Sequence, residues 1–257
     1  ARRGHQVVLF EKCHDIGGQL NIAVQIPGKE EFAETLRYFR HQISLLGVEV
    51  HLNTHAEAES LLRNRFDIVV VASGITPRRP EIPGIDHPSV LTYIDVLWHK
   101  KPVGRKVAII GAGGIGFDTA IYLTHNSGPS TTDTETFLRE WGIDPHLVHP
   151  GGLVPEGPEP SKTPRDIYLL QRKGSKIGAD LSKTTGWIHR AQLKRKSVTM
   201  LNAVHYERID DQGLHITRRE KKMVLSVDNV VICAGQESER KLADALIDGG
   251  LTVHVIG

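Results

Sequence analysis

Lys106-Val-Ala-Ile-Ile-Gly-Ala-Gly-Gly-Ile-Gly-Phe-Asp118 decides the fold. Val107-Ala108-Ile109-Ile110 reads as a buried strand, and it runs directly into G-x-G-x-x-G and then the helical pattern Thr119-Ala-Ile-Tyr-Leu123. A glycine pattern alone is common; a strand before it and a helix after it make it a dinucleotide-binding turn. Gly111 permits the tight turn, Gly113 removes the Cβ that would hold the backbone off a pyrophosphate, and Gly116 lets helix and strand pack closely. The N–H groups of Gly114 and Ile115 at the helix start are then expected to face the phosphates.

Outward from this turn the chain alternates strands and helices. Gln6–Glu11, Ile68–Ala72 and Val230–Ala234 are apolar runs that suit strands covered on both faces. Between the first of these and a strand at Val48, Phe32, Leu36, Phe39, Ile43 and Leu46 share one helical face, and Gly47 is placed as a stop. Strand, helix, strand in that order predicts an α/β fold with parallel sheets. Thr92-Tyr-Ile-Asp95 has capping-box spacing and opens a short helix before the Pro102-Val-Gly104 break, the first expected domain boundary. Residues 125–164 are rich in Gly, Pro, Ser and Thr and read as an insertion with one short helix near Thr136–Trp141, either functional or covering a neighbouring surface.

Asp166–Lys173 is expected to be the second strand of the glycine-turn domain. An acid at its tip would suit a free ribose 2′-hydroxyl, and a cation a 2′-phosphate. The tip carries Arg172 and Lys173, with Lys176 behind, which favours NADP(H) over NAD(H); solvated strand-end charges are the alternative. A helix over Trp187–Lys194 follows, then strands near Val198–Leu201, Leu214–Thr217 and Met223–Ser226, with Asp211-Gln-Gly213 as a hairpin turn. His189 and Arg190 could reach a cofactor phosphate, or lie on a solvated helix face.

Composition narrows the function classes. A chain of 257 residues has room for one or two domains, and 39% hydrophobic with 24% charged residues describes a soluble globular protein. A formal charge of +2 gives no electrostatic case for nucleic acid or a membrane surface. Neither an 18-residue apolar run nor a signal peptide is visible, so a cytoplasmic location is expected, although a chain beginning at Ala1 can follow an upstream segment. Cys13 and Cys233 stand far apart, which fits a reducing compartment, excludes a C-x-x-C redox pair and suggests small buried side chains. The 14 histidines show no metal-ligand spacing.

Near the start, Glu11 stands where the acid after the second strand of a nucleotide-binding fold accepts hydrogen bonds from a ribose, yet no glycine turn precedes it. The first strand and its phosphate loop are expected upstream of Ala1.

Glu11-Lys-x-x-x-Ile16-Gly-Gly-Gln-Leu20, Ile26-Pro-Gly-Lys-Glu-Glu-Phe32, Ala72-Ser-Gly74, Ala234-Gly235 and Lys183-Thr-Thr-Gly-Trp-Ile-His-Arg190 together resemble the bacterial NADPH-dependent 2,4-dienoyl-CoA reductase family. The resemblance covers essentially the whole chain as the C-terminal FAD and NADP(H) region, within a wider group that includes trimethylamine dehydrogenase and NADH:flavin oxidoreductases. It implies two nested Rossmann-like domains with parallel sheets, the FAD domain being incomplete: residues 1–103 and 230–257 for FAD, 104–229 for NADP(H). By the same resemblance Glu11 would hold the adenosine ribose of FAD. Gly17, Gly18 and Gln19 would line its pyrophosphate and ribityl chain, Lys29 would supply a nearby cation, and the backbone at Ala56 would meet the adenine. Gly74, Ala234 and Gly235 would be strand-end turns near the cofactors, and Trp187 would pack by the nicotinamide or serve as a core aromatic. Gly17 and Gly18 could instead be only a turn, Lys29 a solvated helix-start residue, and Ala56 the beginning of a helix.

The activity implied is hydride transfer from NADPH to FAD, serving reduction of 2,4-dienoyl-CoA in fatty acid β-oxidation by a full-length enzyme. In the family an N-terminal barrel carries FMN, a 4Fe-4S cluster and the acid that acts on the enoyl-CoA-type substrate; Cys13 and Cys233 cannot build that cluster, so this stretch is not expected to be active alone. No nucleophile or acid–base pair is needed here, because the flavin carries the chemistry. Another NAD(P)H:flavin oxidoreductase of the group and a non-enzymatic NADP(H)-binding module remain open; a disulfide reductase would need the paired cysteines this chain lacks.

Overall fold

The computed structural model describes residues 1–64, 66–126 and 133–256. In chain order the first elements are β1 (Val8–Phe10), α1 (Gln19–Ala23), α2 (Phe32–Leu45), β2 (Glu49–His51), α3 (Ala58–Arg63), β3 (Val69–Val71) and β4 (Ile75–Pro77). Next come β5 (Val90–Thr92), α4 (Tyr93–Leu97), β6 (Lys106–Ile110), α5 (Gly114–Thr124), α6 (Thr134–Trp141) and a 3₁₀ turn at Pro150–Gly152. They are followed by β7 (Asp166–Leu170), α7 (Gly186–Arg195), β8 (Thr199–Leu201), β9 (Val204–Asp210), β10 (Gly213–Arg218) and β11 (Lys221–Leu225). The last are β12 (Asn229–Ile232), β13 (Gln236–Ser238), α8 (Lys241–Asp248) and β14 (Val253–Val255).

The chain forms two compact units, one of residues 1–24, 30–77 and 236–257, the other of residues 25–29 and 78–235. Residues 78–103, expected with the first nucleotide domain, belong to the second unit because β5 pairs in parallel with β12. Residues 230–235 stay there for the same reason, since β12 also pairs with β6.

The second unit is α/β. Its parallel sheet runs β5-β12-β6-β7-β8, and every residue of Val107–Ile110 is buried, as a strand covered on both faces requires. Phe117, Ala120 and Leu123 of α5 are buried as well. A second, antiparallel sheet β11-β10-β9 contributes Val204, Ile209, Leu214 and Ile216 to a shared core with Ala108, Ile110, Val230 and Ile232. The hairpin turn falls at Asp211-Gln212, with Gly213 at φ 119° paired to Asp210. α4 is closed by the expected box: the Asp95 N–H donates to Thr92 Oγ1 at 3.1 Å and the Thr92 N–H to Asp95 Oδ2 at 2.9 Å.

The insertion is more ordered than its composition suggests. α6 is capped by Asp133, whose side chain accepts from the Thr136 N–H at 3.0 Å, and ends on Gly142 at φ 67°. Arg195 stacks over the Trp141 ring at 4.4 Å, and the buried Lys196 amine bonds Ser161 Oγ at 2.8 Å, so the insertion is fastened to the end of α7. Part of the segment, 127–132, lies outside the described residues.

In the first unit β1 pairs in parallel with β2, and β3 with β14. α2 has the expected span and stop, with Gly47 at φ 62° donating to the Ser44 carbonyl. Two expectations are corrected here. β3 is not covered on both faces, since Val71 is buried while Val70 is 57% exposed, because its layer of α3 and α8 lies on one side only. Of the α2 stripe only Leu36 is buried, and Phe32 and Phe39 stay exposed for want of a covering element among the described residues.

Candidate dinucleotide-binding site

The glycines of the β6–α5 turn have different reasons to be glycine. A Cβ on Gly111, which sits at φ 109°, would stand 2.2 Å from the Cys233 carbonyl oxygen, and one on Gly116 would stand 1.8 Å from the Gly111 carbonyl oxygen. Those two positions are closed by the protein's own backbone. Gly113 and Gly114 are exposed, and a Cβ on either would meet nothing within 4 Å. No side chain caps α5 at Gly113 and no acid stands in its first turn, so no side chain competes for the first N–H groups of the helix. A phosphate fits such a helix start without a competing side chain.

One turn into α5, the half-buried Asp118 binds Lys29 at 2.6 Å. Lys29 thus stands beside the glycine-turn helix, in the second unit, as an ion-pair partner rather than a solvated helix-start residue. Residues 89 apart meet there, which no local pattern could have announced.

The tip of β7 is a built loop. The Gln171 amide donates to the Lys173 and Ser175 carbonyls at 3.1 and 3.0 Å, and Asn202 donates to the Gly174 carbonyl at 2.8 Å. Lys173 is neutralised by Asp180 at 2.7 Å, an acid the spacing did not single out. The side chains of Arg172 and Lys176 are exposed and make no hydrogen bond or ion pair among the described residues. Trp187, the second residue of α7, is 58% exposed, so it is not a core aromatic. Neither neighbour on that helix is simply solvated: Arg190 donates to the Gly178 carbonyl at 2.8 Å, and His189 Nδ1 is buried. Gly235, at φ 107°, follows Ala234 and accepts from the Arg78 N–H at 3.0 Å.

In the first unit Glu11 lies just past the carboxyl end of β1, where ligands of open α/β sheets bind. Its backbone is fixed by bonds to His51 and Thr54, and its Oε1 accepts from the Cys13 N–H at 2.8 Å, which leaves Oε2 for a ribose hydroxyl. Gly17, at φ 117°, has Leu36 where a Cβ would go, whereas Gly18, at φ 49°, faces open space. Gln19 Oε1 accepts from Gln236 at 3.0 Å. Ala56 lies between β2 and α3, which begins at Ala58, and packs on the Leu61 and Val71 cluster. Gly74, at φ 77°, accepts from the Glu239 N–H at 2.9 Å. Glu11 thus keeps one carboxylate oxygen as an acceptor at the end of β1, and the backbone at Gly18 and at Gly113 is open to a ligand.

Burial pushes the Cys233 thiol up to about 12, and burial with the Glu11 carboxylate raises Cys13 as well. Neither is a ready thiolate. Among the described residues no three of His, Cys, Asp and Glu gather to hold a metal, and no helix is long and apolar enough to cross a membrane.

The family model for pyridine nucleotide-disulphide oxidoreductases matches residues 1–254. A cinnamate reductase of Clostridium sporogenes is 37% identical over 247 residues, 94% of this chain and 31% of its own length. An NADH oxidase of Thermoanaerobacter brockii is 36% identical over 261 residues, 100% of this chain and 35% of its own length. A 2-naphthoyl-CoA reductase, solved in complex with 2-naphthoyl-CoA, superposes with a TM-score of 0.79 at 28% identity over 100% of this chain and 33% of that one. The chain spans about a third of the length of these relatives.

Proposed function

The chain belongs to the pyridine nucleotide-disulphide oxidoreductase family, and from that premise we propose that it moves a hydride from NADPH to FAD within a longer flavin-dependent reductase. The observation that carries the reading is the contrast within one turn: Gly111 and Gly116 are closed by backbone, while Gly113 and Gly114 are open at an uncapped helix start. The N–H groups of Gly114 and Ile115 would hold the NADPH pyrophosphate. Arg172, with Lys176 behind it, would meet the 2′-phosphate as charge-assisted donors, and Trp187 offers an exposed face to the nicotinamide. Glu11 would bind the FAD ribose, Gly17, Gly18 and Gln19 its phosphate and ribityl chain, and Ala56 its adenine. Gly74, Ala234 and Gly235 would form the turns beside the cofactors. FAD, when bound, accepts the hydride and passes electrons on; the chain binds, orients and excludes water.

The substrate we infer for the whole protein is an α,β-unsaturated acyl-CoA of the 2,4-dienoyl kind, reduced elsewhere in that longer chain as a step of fatty acid β-oxidation. Support comes from the dispersed motifs and from a structural relative that is a reductase of an acyl-CoA. A second reading, with NADH as donor, is favoured by the Lys173–Asp180 pair, which removes one cation from the β7 tip, and by the NADH oxidase relative.

The test is the visible absorption spectrum of the FAD-reconstituted chain before and after anaerobic NADPH, with NADH in parallel. Bleaching of the flavin band by NADPH supports the first reading, and bleaching by NADH alone supports the second. A bound flavin that neither bleaches refutes both.

A further inference from the structure

α5 carries a single charged side chain, Asp118, and places it on the stripe of the helix that is not buried, in line with Gly114 and Tyr122 at four-residue spacing. Four residues of helix rise only about 6 Å. Helical side chains lean toward the N-terminus, so the carboxylate lies over the turn that begins at Gly114. Gly114 puts no side chain between them, and a Cβ there would meet nothing within 4 Å. An anion at the uncapped start of α5 would therefore face a fixed negative charge on the same stripe, opposing the favourable helix end. Lys29 meets that charge, its ammonium lying 2.6 Å from Asp118 Oδ2. It comes from residues 25–29, which join the second unit apart from the rest of its chain. Both side chains are partly buried, which limits screening by salt. Lys100 serves the next turn of the stripe, donating to the Tyr122 hydroxyl at 3.2 Å.

We propose that Lys29 is a positioning residue of the dinucleotide site, acting through Asp118: it cancels the carboxylate that α5 places beside its own anion-binding end. The role rests on the dinucleotide reading, since the charge matters only to an anion held at Gly113 and Gly114. The same bond fastens residues 25–29 to α5, and the two roles make different predictions. A fastening needs the bridge itself, whereas a charge balance needs only that the carboxylate not stand uncompensated.

The experiment is a double-mutant cycle read by NADPH titration of the chain. Lys29→Met is expected to weaken NADPH roughly tenfold, and Lys29→Arg to stay within about twofold of the parent. Asp118→Asn, which leaves the ammonium without its carboxylate, is expected to bind at least about threefold tighter. The double variant Lys29→Met with Asp118→Asn is expected to return to within about twofold of the parent. A double variant as weak as Lys29→Met, or a Lys29→Met chain as tight as the parent, overturns the proposal. Asp118→Asn tests the same charge without touching Lys29, so it decides the matter should Lys29→Met not fold: binding no tighter than the parent's overturns the proposal. A parent that binds neither NADPH nor NADH overturns the dinucleotide reading and this role with it, whereas a parent that binds with a cycle that fails overturns this role alone.

Discussion

Alanine at Gly116 and alanine at Gly113 should fail in opposite ways. At Gly116 the new Cβ would stand 1.8 Å from the Gly111 carbonyl oxygen and 2.9 Å from its carbon, far inside contact distance and against backbone that cannot rotate away. Overpacking of this kind costs about 1–3 kcal/mol or more, and the helix-propensity gain of Ala over Gly returns only about 1 kcal/mol. A residual loss of up to about 2 kcal/mol lowers the melting midpoint by up to roughly 8 °C for a chain of this size. At Gly113 the φ is −84° and nothing lies within 4 Å, so stability should hold within about 0.5 kcal/mol, as for other surface changes. The space that Cβ takes is the space assigned to the pyrophosphate, and NADPH affinity should fall at least about tenfold, or ~1.4 kcal/mol. Thermal melts by circular dichroism and NADPH titrations by nicotinamide fluorescence read the two effects separately. A Gly113→Ala chain that binds NADPH as tightly as the parent would refute the assignment of that open space to a ligand.

The β7 tip gives a second test. Arg172→Ala with Lys173→Ala should weaken NADPH roughly ten- to a hundredfold through lost charge-assisted contacts and leave NADH within about twofold; equal weakening of both would remove the 2′-phosphate reading. Asp144 accepts from the N–H groups of His146, Val148 and His149 and from His149 Nδ1, and these bonds hold its carboxyl far below the ordinary range. A depressed carboxylate contributes stability that is present above about pH 4 and lost as pH falls toward its folded value. Amide protection at 146, 148 and 149 should therefore drop on acidification below about pH 4, and at neutral pH in Asp144→Asn; unchanged protection in both would show that the carboxylate does not hold the loop. Cys233 is buried with its thiol near 12, whereas Cys13 is partly exposed, so a thiol reagent should titrate one cysteine in the native chain and two in urea. Rapid native reaction at Cys233 would contradict its burial.

Much of the second unit was legible because its signals are local. The strand, the glycines and the helix of 106–124, the Thr92–Asp95 box and the Asp211–Gly213 turn each state their geometry within a few residues. β9 was not legible. Its apolar alternation runs Val204, Tyr206 and then slips to Ile209, because the pairing passes from His215↔Arg208 to Ile216↔Tyr206 and leaves Glu207 as an extra residue. α8 carried an unused signal in Leu242, Ala243 and Leu246, a helical spacing whose Ala243 and Leu246 are buried. Within the site, position along the chain was readable but pairing was not. Lys29 with Asp118, Lys173 with Asp180 and the solitary Nδ1 of His189 depend on distances that only the folded chain sets.

β12 lies between β5 and β6, yet it is the last of the five strands to leave the ribosome. A nascent chain that stops short of Ile232 already contains the entire glycine motif, but β6 has only β7 beside it and the turn lacks the Cys233 carbonyl against which Gly111 is folded. Vectorial synthesis therefore makes the glycine turn early and completes it late, with β5 and one side of β6 waiting unpaired over more than a hundred residues of translation, the kind of exposed edge that favours aggregation. The β6 turn is completed only once residue 233 has been made, and a truncation placed just before residue 229 would yield a polypeptide that holds the motif and cannot shape it.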